Sequence, residues 1–288
     1  MKKILVPIDF SAHADYASNV ASQIAQTNRA QVILLHVISL PIYEDRSLLN
    51  STWNQNEIDA INDKINDKFK SILALPDWNG IAVERKIEFG VVHKKVIEIA
   101  EQEGIDLIVA GCHGTSGENS DYVGSSIEKI VRTSKVPVLT VKKHTPKFHP
   151  KNILFVSNFF EENERALNLV SEISDKYKSD LHLTKIVTPD SFETTGYSQK
   201  LITDLAEKCG IKKFKSAIIN DFEVENGVYY QAKAINADLI CMATHKRTRW
   251  TRLFGKSIAQ EIASHANEAV LTIKLPSDKS KTGVIFPE

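Results

Sequence analysis

The chain is written twice. The stretch "KKILVPIDF" at residues 2–10 realigns on "KNILFVSNF" at 151–159, an offset of 149. Further on, "DLIVAGCHG" (106–114) realigns on "DLICMATHK" (238–246) and "VPVLTVK" (136–142) on "EAVLTIK" (268–274), both at an offset of 132. The difference of 17 residues falls in one place, because Pro41 to Gly80 spans 40 residues where Thr188 to Gly210 spans 23. A repeat must be found before local structure is read, since it fixes the architecture of the whole chain. Each copy is long enough for an ordinary domain of roughly 100 to 150 residues with its own core.

Within a copy, short β-branched apolar runs alternate with longer segments of helical spacing. In the first copy "KILVPID", "QVILLHVI", "AVERKIEF", "DLIVAG" and "VPVLTVK" read as strands. Residues 11–28, 55–73, 91–103 and 124–134 read as helices, Val92, Val96, Ile97 and Ala100 marking one apolar face. The second copy repeats this with "NILFVS", "DLHLTKIV", "FKSAII", "DLICMA" and "AVLTIK". Near-continuous apolar strands separated by helices imply an α/β fold whose parallel sheet is covered on both faces, with right-handed crossovers. The segment "KKHTPKFHP", 142–150, has two prolines and no apolar periodicity, which places the linker there. The expected division is 1–146, 147–276 and a tail at 277–288.

Composition removes several functional classes. Lys plus Arg and Asp plus Glu both number 36, so no global field draws the chain to nucleic acid or to an anionic membrane. No run of 18 apolar residues occurs, and the apolar start is broken early by Asp9, so neither a membrane span nor a signal peptide is expected and a cytoplasmic location is the default. Cys112, Cys209 and Cys241 are an odd set without a C-x-x-C pair, which argues against a disulfide framework and a zinc site.

The residues that carry chemistry lie in "GCHGTSGENSDYVGSS", 111–126. In an open parallel sheet a ligand sits beyond the carboxyl ends of the strands where the strand order reverses. For the order 3-2-1-4-5 that point lies between strands 1 and 4, so Asp9 and Gly111 are expected to meet there. Glycine lets main-chain N–H groups approach phosphate oxygens, and Gly124-Ser125-Ser126 opens a helix whose free amides favour an anion. The alternative is a plain turn with Ser125 or Ser126 as an N-cap. "FGKS" at 254–257 lacks the earlier glycine of a P-loop, which would fall at Trp250, and no G-x-G-x-x-G follows a strand.

The repeat, the strand-1 "VPID" and the spacing G-x2-G-x9-G-S filled by Gly111, Gly114, Gly124 and Ser125 together resemble a tandem universal stress protein. The resemblance implies two flavodoxin-like (Rossmann-like) units, each with a five-stranded parallel sheet, of a kind that pairs with another copy, often through its last strand. It also implies an adenine nucleotide, ATP or AMP, in the first copy. Pro7 and Asp9 match positions that flank adenine and ribose, and Val37 matches the adenine-edge backbone position. Gly111, His113, Gly114, Gly124, Ser125 and Ser126 match the ribose and phosphate loop. His113 has a counterpart in His245, which leaves open a ligand contact or a turn-capping imidazole.

Two departures bear on the ligand. Between Gly114 and Gly124 stand Glu118 and Asp121 and no Lys or Arg, which favours Mg²⁺ beside a triphosphate or a less charged ligand such as AMP. In the second copy Asn158 replaces Asp9, Ala243 replaces Gly111 and Lys246 replaces Gly114, so that loop is expected to be degenerate. Its residues Lys246, Arg247, Arg249, Arg252 and Lys256, with Trp250, are either an anion or acidic-partner surface or a solvated loop.

No residue set pairs a nucleophile with a base, and no Walker lysine or transfer arginine is present. The expected activity is regulatory binding in a stress response. The competitors are slow ATP hydrolysis or self-phosphorylation on Ser125 or Ser126, and an interaction scaffold with an unknown protein partner. Pairing of the two copies within one chain stands beside a homodimer. The extra segment after strand 2, with Tyr43, Trp53 and an amphipathic run from Ile58 to Ile72, is read as a lid, an oligomer contact or an ordinary helix.

Overall fold

A computed structural model describes residues 1–39, 55–112, 125–244, 259, 262–263 and 266–275. The strands are β1 (Lys3–Pro7), β2 (Gln31–Ile38), β3 (Val83–Phe89), β4 (Leu107–Gly111) and β5 (Val138–Val141), followed by β6 (Asn152–Val156), β7 (Asp180–Val187), β8 (Lys215–Asn220), β9 (Leu239–Thr244) and β10 (Ala269–Lys274). They join into one ten-stranded sheet of order β3-β2-β1-β4-β5-β10-β9-β6-β7-β8. Each half therefore has the expected order 3-2-1-4-5, all parallel within the half.

Alternate strand residues feed opposite faces, as the pleat requires. Ile4 and Val6 enter one apolar layer and Leu5 the other. The first layer is roofed by α1 (Ala12–Asn28), α2 (Gln55–Leu73), α5 (Glu164–Tyr177) and α6 (Thr195–Lys208). The second lies under α3 (Val92–Gln102), α4 (Ser125–Thr133) and α7 (Val224–Ala234). Both layers take residues from both halves, so the two cores are continuous across the chain. Among the described residues no helix is long and apolar enough to cross a membrane.

The halves meet at β5 and β10, which pair antiparallel with Leu139 opposite Leu271, Thr140 opposite Val270 and Val138 opposite Thr272. Under the 132-residue offset Leu139 is the counterpart of Leu271 and Thr140 of Thr272, so a pseudo-two-fold axis passes through the leucine pair. The hydroxyls obey it as well: Thr140 Oγ1 donates to Val270 O and Thr272 Oγ1 to Val138 O, each at 3.3 Å. This is the geometry of an isologous dimer interface, made within one chain. It leaves β3 and β8 as the sheet's outer edges.

A second repeated device ties the start of each half to its fourth strand. The backbone N–H groups of Lys2 and Lys3 donate to Asp106 Oδ2, the latter at 3.0 Å. In the second half those of Lys151 and Asn152 donate to Asp238 Oδ2 at 2.8 and 2.9 Å. Burial acts to raise the Asp106 carboxyl, but these backbone donors and the nearby amino terminus outweigh it and hold its pKa below the ordinary value.

The linker is not a loose tether. Phe148 is buried at the seam and its N–H donates to Gln23 Oε1 of α1, while Gln23 Nε2 reaches Thr145 O at 3.3 Å. The amphipathic run Ile58–Ile72 is the crossover helix α2 between β2 and β3, the counterpart of α6, and it seats Ile65 and Phe69 in the core. Residues 40–54, with Tyr43 and Trp53, and the tail 277–288 lie outside the described residues.

Leu271→Asp tests the seam. An unpaired carboxylate buried opposite Leu139 should cost at least about 3 kcal/mol. That cost lowers Tm by about 10 °C. Because the seam carries the coupling, calorimetry should also resolve two transitions where the parent shows one; a single unshifted transition would show that the halves do not depend on it.

Candidate functional site

The site is built on the carboxyl end of β1. The strand ends at Pro7, two residues earlier than "VPID" suggests, although Ile8 N still reaches Leu35 O at 2.8 Å. The chain then turns sharply: Phe10 takes a left-handed conformation with φ 62, and Asp9 Oδ1 accepts the Ser11 N–H at 3.0 Å. Ser11 in turn caps α1, its Oγ accepting from Ala14 N. The second half makes the same turn, with Phe159 at φ 60 and Asn158 Oδ1 accepting from Phe160 N at 3.2 Å. An asparagine serves this Asx-type turn as well as an aspartate does. The turn therefore does not account for the charge of Asp9, which is exposed and uses one carboxylate oxygen in the turn.

Phe10 and His36 were not singled out by sequence reasoning. The Phe10 ring lies against His36 (centroids 4.8 Å apart) and edge-on to Phe69 of α2 (5.4 Å), with Lys68 Nζ 4.8 Å above it. His36 Nδ1 donates to Ile8 O at 2.6 Å, tying β2 to the chain just before Asp9. A signal was available, because both copies of the strand-1 motif end in phenylalanine, "PIDF" and "VSNF".

Gly111, the last residue of β4, has a packing role that the turn and phosphate readings both overlook. A Cβ there would stand 2.2 Å from His13 O and 2.8 Å from Ala14 N, in the first turn of α1. Glycine is what allows that helix end to press onto the strand. In the second half the counterpart is Ala243, and the matching segment Glu161–Asn163 is a 3-10 turn, with α5 starting only at Glu164. There Asn163 Nδ2 donates to Asn158 Oδ1 and Phe160 O at 2.6 and 3.0 Å. The methyl group and the altered first turn go together.

The described site residues share one edge of the sheet. β1 lies between β2 and β4, which puts Pro7 and Asp9 between the carboxyl ends that carry Val37 and Gly111. Val37 faces the layer occupied by α4, whose first turn carries the half-buried Ser126. Ser125 begins that helix. His113, Gly114, Gly124, Glu118 and Asp121 lie outside the described residues, as do His245 and the basic loop residues Lys246, Arg247, Arg249, Trp250, Arg252 and Lys256. The mouth is acidic: Asp15, in the first turn of α1, has its pKa raised by burial and then by the charge of Asp9. On the α3 and α4 side His93 is pushed down by burial and by Lys129, Lys94 and Arg132, which favours the neutral imidazole. Among the described residues no cluster of His, Cys, Asp and Glu could hold a metal, and Asp9 alone is not a magnesium site.

The equivalent crevice of the second half is filled by its own side chains. Lys185, at the position of His36, is 4 % exposed and sends Nζ to Asn158 O (2.9 Å) and Glu193 Oε2 (2.7 Å), with the Phe160 ring 5.2 Å away. A buried charge needs such a set of partners. Ile186, at the position of Val37, packs so closely on α7 that a Cβ on Gly227 would come within 2.8 Å of it. Hence α7 packs directly on the carboxyl-end residues of β7, at the position that Val37 holds in the first half.

Gly111→Ala should destabilise by about 2 to 4 kcal/mol, because the obstructing atoms are backbone. Ala243→Gly should cost under about 1 kcal/mol. Chemical denaturation of the two variants measures both, and equal stabilities would remove the asymmetry argued from the α1 contact.

The model of the universal stress protein family matches residues 1–142 and again 149–274. Universal stress protein MJ0577 of Methanocaldococcus jannaschii is 31% identical over 154 residues, covering 49% of this chain and 95% of that protein. Universal stress protein MJ0531 of the same organism is 27% identical over 142 residues, covering 49% and 82%. A universal stress protein from Archaeoglobus fulgidus superposes over 94% of this chain and 98% of its own with a TM-score of 0.74 at 19% identity, a likeness of fold. The twice-repeated match and the shared doubly wound architecture assign the chain to the universal stress protein family, with two family domains in one polypeptide.

Proposed function

We propose that this is a stress-response regulatory protein of the cytoplasm that binds one adenine nucleotide, ATP or AMP, in its N-terminal half. The observation that carries the reading is the contrast between two crevices on the same scaffold. In the first half Pro7, Asp9, Val37, Gly111 and Ser126 border the strand-order switch point, and Asp9 keeps a carboxylate that its turn does not need. In the second, Lys185 and Glu193 occupy the corresponding place and Asn158 removes the charge. Adenine would lie between Pro7 and the backbone of Val37, ribose hydroxyls against Asp9, and phosphates at the start of α4 with His113, Gly114, Gly124, Ser125 and Ser126. The second site is proposed to be degenerate.

Charge decides which nucleotide is preferred. Asp9 and Asp15 at the mouth, with Glu118 and Asp121 in the intervening sequence, repel a triphosphate more than a monophosphate. Isothermal titration of the full chain should therefore give AMP binding that is indifferent to Mg²⁺ and ATP binding that weakens when Mg²⁺ is removed. Gly114→Lys, which copies Lys246 of the second half, should lower affinity for either nucleotide at least about 100-fold, because a side chain at that glycine blocks backbone approach. Flat titrations with both nucleotides would defeat the proposal, and binding that survives Gly114→Lys would move the site off the glycine loop.

A second reading, an interaction scaffold, is favoured by one feature of the C-terminal half. Phe160, Phe192 and Phe222 stand exposed beyond three neighbouring strands, β6, β7 and β8. The segments that carry them, 157–163, 188–194 and 221–223, contain six carboxylates and no Lys or Arg. An acidic, aromatic edge of this kind suits a basic protein surface. A homodimer formed by strand pairing would use the outer edges at β3 or β8, since β5 and β10 are paired internally.

A further inference from the structure

The two halves line a half-open, mainly apolar pocket that neither has alone. It measures about 200 Å³ and lies on the α1 and α5 side of the sheet, over the leucine pair of the seam. Leu107, Leu139, Leu239 and Leu271 form its floor, and Ile24 of α1 and Ile173 of α5 are among its walls. Its polar lining comes from Asn28, Glu172 and Lys176, with Lys176 Nζ donating to Asn28 Oδ1 at 2.8 Å between the two helices. Phe148 of the linker also lines it and packs edge-on against Tyr177, ring centroids 5.9 Å apart.

Over the leucine floor a water molecule finds no hydrogen-bond partner, whereas Asn28, Glu172 and Lys176 supply polar groups elsewhere in the lining. A cavity of about 150 Å³ lined by leucine, isoleucine and phenylalanine stays dry and takes benzene. The seam cavity is somewhat larger and adjoins a wider cleft of about 680 Å³ that shares Met1, Leu169 and Glu172 with it. That cleft is polar, lined among others by Asp106, Lys135, Arg165 and Lys274.

We propose that the seam is a second ligand site, distinct from the crevice at the carboxyl edge, for a small amphipathic molecule. Its apolar group, a substituted benzene or an indole in size, fills the leucine-floored cavity, and its polar substituent points into the adjoining cleft. The ligand touches both halves at once, so its binding free energy adds to their association. The site depends on the tandem arrangement and is independent of whether the N-terminal crevice takes a nucleotide.

Indole and n-butylbenzene are suitable probes, used with the full chain in thermal melts and titration calorimetry. Each should give a saturable calorimetric isotherm and raise Tm with the logarithm of its concentration, by about 3 °C at ten times its Kd. Leu169→Phe and Ile173→Phe, at half-buried helix positions, should fill the space and weaken probe binding at least 10-fold, with unliganded Tm within about 2 °C of the parent. Should a filled variant fail to fold, Ile24→Ala enlarges the cavity and should bind n-butylbenzene at least 3-fold more tightly. The proposal is overturned if the parent shows no saturable binding of either probe, if folded filled variants bind as the parent does, or if Ile24→Ala leaves the affinity unchanged.

Discussion

The antiparallel pairing of β5 with β10 is the constraint on which the rest of the molecule depends. A five-stranded parallel sheet of order 3-2-1-4-5 ends on an open strand, and an open apolar edge invites pairing with another chain. Here each half covers the other's edge. Leu139 faces Leu271, and the Thr140 and Thr272 hydroxyls donate to Val270 O and Val138 O in equivalent hydrogen bonds across a pseudo-two-fold axis. One consequence is a single ten-stranded sheet with two continuous apolar layers. Another is that α1 and α5, equivalent helices in the two copies, both border the seam, and the space between them is bridged by Lys176 and Asn28 and packed by Phe148.

Most of this architecture was legible in the sequence because the physics that sets it is local. Strand runs such as "QVILLHVI" and "AVLTIK" are bounded by turn residues and match β2 and β10 to the residue. Right-handed crossovers then leave little freedom in strand order. The seam was legible only as one of two options, since an unpaired last strand says that it must be covered but not by which chain. The linker's docking was not legible at all. It rests on Gln23, a polar residue in the middle of α1 whose partners, Thr145 and Phe148, are more than 120 positions away.

The candidate site was less legible, and Gly111 shows why. From sequence its missing Cβ could mean a turn or an approach to phosphate, because both need backbone without a side chain. The atoms nearest to where that Cβ would stand belong to His13 and Ala14, nearly 100 residues earlier, and only a known helix position reveals that further constraint. Asp9 changed in the opposite direction. Its turn role is plain in both copies, and because Asn158 performs it equally, the turn does not require the charge at 9.

Placing both copies in one chain relaxes the link between fold and site. In a dimer of identical chains any change that filled one crevice would fill both. In the tandem, the seam keeps its pairwise symmetry at Val138, Leu139 and Thr140 against Val270, Leu271 and Thr272, while the two crevices follow separate courses. The second exchanges an exposed carboxylate for Asn158 and brings in Lys185, whose buried ammonium is held by Glu193, the Asn158 carbonyl and the Phe160 ring. Such a cluster fixes its strand ends only when every partner is present, because an unmatched buried charge is strongly unfavourable. The C-terminal half thus has its strand ends secured by its own side chains. Through the shared sheet it offers the N-terminal half a fixed edge, and there the exposed carboxylate of Asp9 stands where the C-terminal half has Asn158.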